Sequence, residues 1–191
     1  MKKSNKRDDI LQAALEIISE HGFHEAPMSK IAEKAGVGAG TIYCYFQSKD
    51  ELIIEINRIL EEKMLLAMEK NYPFKKDIKK RFFHLYKTVF EYFINHPVHF
   101  RFLEQYFYSP YGVSVHKERV VGTAGEPNIF QILVKQGIKQ KVIKDIPLFM
   151  HFALAYGPII ILVRNHVIGL VELDNVRINQ AIEAVWDAIK K

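Results

Sequence analysis

The sequence predicts an all-α fold of about nine helices, with a three-helix unit over residues 1–50 and a larger helical part over residues 51–191. Three observations carry this reading. Apolar residues recur at spacings of three and four along most of the chain. The glycine-bearing turn at residues 36–38 is too short for anything but a second helix at a steep angle. With 49% apolar and 26% charged residues over 191 positions, the chain has the balance of one or two compact, well-buried domains.

The first helix is marked by Ile10, Ala13, Ala14, Ile17 and Ile18 and ends near His21-Gly22, where glycine suits the left-handed position past a C-terminus. A short second helix over residues 28–34 has Pro27 near its first turn and Ile31, Ala32 and Ala35 as its inner face. After Gly36-Val37-Gly38 the third covers residues 39–46, anchored by Ile42 and Phe46 four apart. Ser48 and Glu51 form a capping box that opens a fourth, apolar at Leu52, Ile56, Ile59, Leu60 and Met64. Ile78, Phe82, Leu85, Tyr86, Val89 and Phe93 mark a central helix that Asn95-His96-Pro97 stops. An aromatic cluster follows, and Ser109-Pro110-Tyr111-Gly112 reads as a loop. Residues 127–140, 148–167 and 176–189 complete the count.

Helix, three-residue turn, helix is the helix-turn-helix unit. Gly36 sits where a residue with a Cβ would resist the required conformation, and Val37 plugs the angle. Thr41, Tyr43, Cys44 and Tyr45 cannot all share the inner face of so short a helix. Outward tyrosines offer hydroxyl donors to phosphate oxygens and rings to sugars or thymine methyls, so the motif points to double-stranded DNA.

Composition narrows the classes. Cys44 is the only cysteine, which excludes an intrachain disulfide and a thiolate zinc cage and fits a reducing, cytoplasmic compartment. The basic N-terminus is followed by apolar positions broken by Gln12, Glu16, Ser19 and Glu20, unlike a signal peptide. The apolar stretch from Leu148 to Val163 is interrupted by His151 and Gly157-Pro158 and falls short of the ~20 residues a membrane span needs, so it reads as a buried helix. Net charge is +5, yet residues 1–50 hold seven Lys and Arg against seven Asp and Glu. Four of those cations, Lys2, Lys3, Lys6 and Arg7, lie where a mobile basic arm would have them. His96 and His99 lack a partner motif such as His-Glu-x-x-His, so neither catalysis nor a metal or other cofactor is expected. The KKDIKKRFF stretch from Lys75 reads as a solvated helix start rather than a membrane-surface segment.

The stretch IAEKAGVGAGTIYCYFQSKDEL resembles the N-terminal domain of the tetracycline-repressor (TetR) family of bacterial transcription regulators. Its combined pattern is Ile31-Ala32, Ala35-Gly36-Val37, Thr41-Ile42-Tyr43, Phe46, Lys49 and Leu52. The resemblance implies a three-helix DNA-binding head and a variable helical body that holds a small ligand. It also implies a homodimer built on the last two helices and operator release on ligand binding. Carried over by position, Tyr43 and Lys49 hold phosphates, Thr41 and Tyr45 face the major groove, and Ser29 makes a further contact. The chain departs from the family in Pro27 and Lys30, which replace a capping hydroxyl and its acidic partner, and in Gly38, Ala39 and Gly40 at the tip of the recognition helix. No Arg, Asn or Gln lies between Gly38 and Phe46, so operator choice is expected from methyl contacts of Ala39 and Thr41, close approach at the glycines, the tyrosines, and DNA shape.

The body is rich in aromatic residues. Phe90, Phe93, Phe100, Tyr106 and Phe107 are candidate walls of a ligand pocket, as are Phe130, Phe152 and Tyr156, with Glu104 or a tyrosine hydroxyl fixing orientation. A small hydrophobic or aromatic effector fits such walls; a regulator controlled by a protein partner, or without a ligand, is the alternative. Phe149, Phe152, Ala153, Tyr156, Ile160 and Val163, with Ile178, Ile182, Val185, Trp186 and Ile189, give two apolar helices that need cover, which a homodimer interface supplies. Half-sites about one helical turn apart and a palindromic operator follow from that pairing.

Overall fold

The computed structural model describes residues 5–113 and 127–191, and those residues are helical without a strand. Nine helices lie among them: α1 (Lys6–His21), α2 (Met28–Lys34), α3 (Ala39–Tyr45), α4 (Lys49–Glu69), α5 (Ile78–Asn95), α6 (Pro97–Phe107), α7 (Ile129–Lys139), α8 (Leu148–Val167) and α9 (Asn175–Ile189). Residues 110–113 begin a further helical turn. The chain forms two compact units, Met1–Lys63 with Pro97–Val113, and Met64–His96 with Ser114–Lys191. The unit containing the helix-turn-helix is therefore larger than residues 1–50, because it takes in α4 as far as Lys63 and all of α6.

In the first unit α1 packs against α2 and α6, and α2 against α3. The expected stripe of α1, Ile10, Ala13, Ala14, Ile17 and Ile18, is buried throughout and joined by Ile31, Ile42, Phe46, Leu52, Ile56 and Phe102 in one core. Asn5 caps α1 by accepting from Arg7 N at 3.2 Å, which starts the helix four residues before its first core position. Arg7 is thereby drawn into the fold rather than left in an arm: it pairs with Glu55 at 2.6 Å and covers the Phe46 ring. Lys2 and Lys3 lie outside the described residues. Residues 109–112 are not the loop their composition suggested. Ser109 Oγ accepts from Gly112 N, and the carbonyl of Ser109 accepts from Val113 N at 3.2 Å, so Ser109 caps a new helical turn with Pro110 at its first position.

In the second unit α5 packs against α7, α8 and α9. Ile78, Phe82, Leu85, Tyr86, Val89 and Phe93 are all buried, as a central helix requires. Asn128 and Gln131 close a capping box at the start of α7.

The last two helices correct the sequence reading at residue level. Ile178, Ile182, Val185, Trp186 and Ile189 are buried within their own unit, so the inner face of α9 is covered without a partner. α8 is not the wholly buried helix expected. His151, Ala155, Ile159 and Val163, four apart, form its inner stripe, while Phe149 is 52% and Ile161 50% exposed. At 20 residues it is long and apolar enough to cross a membrane by length and composition alone.

Candidate nucleic-acid interface and effector region

The turn between α2 and α3 is a Schellman motif. Gly36, at φ 66°, donates from its N–H to Glu33 O at 3.0 Å, and Val37 N donates to Ala32 O at 3.0 Å. These bonds satisfy the last carbonyls of α2 and turn the chain so that Val37 packs on the core. Gly38, in extended conformation, then starts α3 with no side-chain cap. Ile42 and Phe46 are buried, which fixes the rotation of α3 and puts its remaining side chains outward.

That rotation leaves Tyr43 55% and Tyr45 39% exposed, and Gly38, Ala39, Gly40 and Ser29 are exposed as well. Thr41 is half-buried. The eight residues named from sequence thus lie on α2, on α3 and its N-cap Gly38, and at the start of α4, all within the first unit. Lys49 differs from the rest: its ammonium donates to the Phe23 carbonyl, so it ties the start of α4 to the turn after α1. Pro27 occupies the N-cap of α2 and offers no side-chain bond, as its chemistry demands.

Ser48 caps α4 through its Oγ, which accepts from Glu51 N at 3.1 Å; the Glu51 carboxylate reaches back to Gln47 N at 2.7 Å, one residue before the expected partner. Cys44 is exposed, not a buried filler, with Sγ 3.4 Å from Gly40 O. Tyr111 donates to Asp50 Oδ1 at 2.7 Å, and that acceptor, with burial, raises the phenol above its usual range.

The nine effector candidates divide between the units. Phe100, Glu104, Tyr106 and Phe107 belong to the first, where Phe100 is buried, Tyr106 stacks on Phe102 at 6.2 Å, and Phe107 is 43% exposed. Phe90, Phe93, Phe130, Phe152 and Tyr156 belong to the second. There Phe130, Phe152 and Tyr156 stand ring to ring at 5.0–5.5 Å, on α7 and α8, while Phe90 and Phe93 are buried on α5. A recess of about 490 Å³ lined by Leu162, Leu170, Val171, Leu173, Arg177 and Ala181 includes none of the nine.

Sequence reasoning missed Tyr86 as a chemical group. Its ring stacks on Phe82 at 4.0 Å and lies 6.5 Å from Tyr156, and its hydroxyl is buried with no hydrogen-bond partner among the described residues. Burial pushes that phenol well above its ordinary range, so it stays protonated and able to donate. His151 is also buried: Nε2 lies 3.1 Å from Lys144 O, Nδ1 has no partner among the described residues, and burial lowers its pKa.

The geometry defines a class: a helix-turn-helix head whose second helix presents an exposed tyrosine face, followed by an all-helical body. Residues 10–56 match the family model described as bacterial regulatory proteins, tetR family, and residues 77–190 match the tetracyclin repressor-like C-terminal domain. The chain belongs to the TetR family of bacterial transcription regulators. Over 79 residues it is 40% identical to the fatty acid metabolism regulator protein of Bacillus subtilis, covering 41% of this chain and 38% of that one. The chain spans between 26% and 56% of the lengths of the first curated relatives it matches. A TetR family transcription regulator from Marinobacter aquaeolei superposes with TM-score 0.82 at 24% identity, over 97% of this chain and 96% of that one. One from Haemophilus influenzae superposes with TM-score 0.82 at 22% identity, over 98% and 100%. These relatives are transcription regulators, not enzymes.

Proposed function

We propose that two copies of this chain bind a palindromic operator and repress transcription until a small hydrophobic or aromatic effector releases the DNA. The observation that carries the DNA half is the outward face of α3, where Tyr43 and Tyr45 stand exposed while Ile42 and Phe46 are locked in the core. Tyr43 and Lys49 hold phosphates, and Ser29 adds a further contact. Thr41, Tyr45 and Ala39 meet base edges, and Gly38 and Gly40 let the backbone approach closely.

The exposed apolar stripe of α8, Met150, Leu154, Gly157 and Ile161 at spacings of four, three and four, supports pairing through the C-terminal helices. Large apolar side chains such as Met150, Leu154 and Ile161 need cover, and a two-fold contact between identical helices, approaching closely at Gly157, supplies it. A cytoplasmic location follows from the DNA partner. The effector sits among α5, α7 and α8, where the Phe130 and Tyr156 rings lie 6.4 and 6.5 Å from the Tyr86 ring and Phe152 stacks on Tyr156. The name of the Bacillus subtilis relative connects that protein with fatty acid metabolism and supports an apolar effector here. Release works through α4, whose residues belong to both units: the effector must favour one setting of that helix over the other by a few kcal/mol to act as a switch.

Selection of bound duplexes from a random pool, repeated with a metabolite extract present, tests both halves. A palindromic consensus lost in the presence of the extract supports the reading. No enrichment overturns the DNA half, and enrichment unchanged by any extract overturns the effector half in favour of a regulator without a small ligand.

A further inference from the structure

Read from sequence, KKDIKKRFF is a solvated helix start; its last cation is largely withdrawn from water. Arg81, in the first turn of α5, is 6% exposed. Its Nε donates to Tyr72 Oη at 3.0 Å and its Nη1 to Gln136 Oε1 at 2.6 Å, and the guanidinium carbon lies 5.4 Å from the centre of the Tyr72 ring. Every one of these partners is neutral, and no carboxylate pairs with Arg81 among the described residues. A guanidinium carries five N–H donors and is costly to remove from water unless an opposite charge and full hydrogen bonding compensate it. Two neutral acceptors supply no opposite charge.

A second polar group beside it is also unspent. His84, one turn along α5, sets its ring 5.7 Å from the same Tyr72, and its buried Nε2 has no hydrogen-bond partner among the described residues. Acids close in sequence and space are engaged elsewhere: Asp77 caps α5 through Lys80 N at 2.9 Å and pairs with Lys80 at 3.3 Å, and Glu183 pairs with Lys79 at 3.0 Å. Lys75 and Lys76 add exposed positive charge just before the helix.

We infer that the second unit holds an oxyanion, a carboxylate or a phosphate, at Arg81, with Tyr72 and His84 beside it. Such a group brings the missing charge and can accept from the remaining guanidinium N–H groups, and Arg suits it because its planar fork matches two oxygens at once. Arg81 is five residues, roughly 7.5 Å along the helix, from Tyr86. A molecule anchored at Arg81 reaches the aromatic cluster with an apolar body by parting the packed rings of Phe82, Tyr86 and Phe130, which are 0–3% exposed. The effector class is then an amphiphilic anion rather than a neutral or cationic aromatic. The site rests on the proposed regulatory function only for the step from binding to operator release.

The test uses the full chain with sodium dodecanoate, neutral dodecanol of the same length, and sodium phosphate. The Arg81 Nε–H resonance, assigned by its loss in Arg81→Lys, is expected to move and saturate with dodecanoate, phosphate or both, but not with dodecanol. The melting temperature should rise by several degrees with the same anion and fail to rise in Arg81→Met. If Arg81→Met does not fold, the wild-type resonance and a weakened response in Arg81→Lys decide. A resonance unmoved by both anions, or an equal shift with dodecanol, overturns the site and assigns Arg81 to tying helices together. Anisotropy of a labelled operator separates the two readings. Anion binding without DNA release keeps the site and removes the effector role; release by dodecanol alone does the reverse.

Discussion

Arg7 Nη2 stands 2.6 Å from Glu55 Oε1, an ion pair that joins the first turn of α1 to α4 across 48 positions of the chain. The same carboxylate accepts from Arg58 at 2.8 and 3.0 Å, so one acid holds two guanidinium groups. Hydrogen bonds from Arg58 first and Arg7 second lower the Glu55 pKa from 4.5 to about 2. A carboxylate depressed in the folded state contributes stability that is fully present above its unfolded pKa and is lost as pH falls from about 4.5 toward 2. Wild type and Glu55→Gln should therefore differ most in urea midpoint near pH 7, and the gap should narrow below about pH 4.5 and close only toward pH 2. A gap unchanged with pH would show that the pair adds nothing through charge.

Two glycines answer to different constraints. Gly36→Ala puts a Cβ into the left-handed region at φ 66° with open space around it, so only backbone preference is lost, about 1–2 kcal/mol. At Gly112 the added Cβ would lie 2.2 Å from the Tyr106 carbonyl oxygen, so the backbone of residues 106–112 must shift. Gly112→Ala should cost roughly 3 kcal/mol or more. Chemical denaturation of the two variants side by side checks the order.

On the proposed DNA face, Tyr43→Phe removes a hydroxyl from an exposed ring, so stability should stay within about 0.5 kcal/mol. Operator affinity should fall by roughly three- to tenfold, the worth of one hydrogen bond to phosphate, with an unchanged salt slope. Lys49→Met should reduce that slope by about one and also loosen the turn held at Phe23 O. Binding titrations at several salt concentrations separate the two residues; equal slopes for both variants would remove Lys49 from the phosphate contacts.

Ile161, 50% exposed on α8, tests the pairing surface. Ile161→Lys sets a charge in the middle of the apolar stripe and should weaken self-association roughly tenfold or more. Sedimentation of wild type and variant over a concentration series reads this directly. A wild-type chain that sediments as a monomer at micromolar concentration would end the two-fold model.

Most helices were legible because helical burial writes itself at spacings of three and four. The predicted residues of α2 and α8 coincide with the observed ones, and Ile42 and Phe46 are the anchors of α3 as expected. The start of α1 was missed because Asn5 caps a turn that carries no core residue. Residues 109–112 were misread because serine and proline open a helix with the same side chains that make a loop. Arg81 left a faint signal: it stands three after Ile78 and four before Leu85, inside the core stripe, yet a cation in a lysine run reads as solvated.

The sequence by itself determined the helical elements, the glycine turn at Gly36 and the outward tyrosines of α3, since each rests on periodicity and backbone preference among neighbours in the chain. Only the tertiary structure decided that Arg7 meets Glu55, that Arg81 is buried among neutral groups, and that α9 covers its own face while α8 leaves one bare. Those outcomes depend on which side chains distant in sequence come within a few ångströms, and on where water is excluded, neither of which a local pattern encodes.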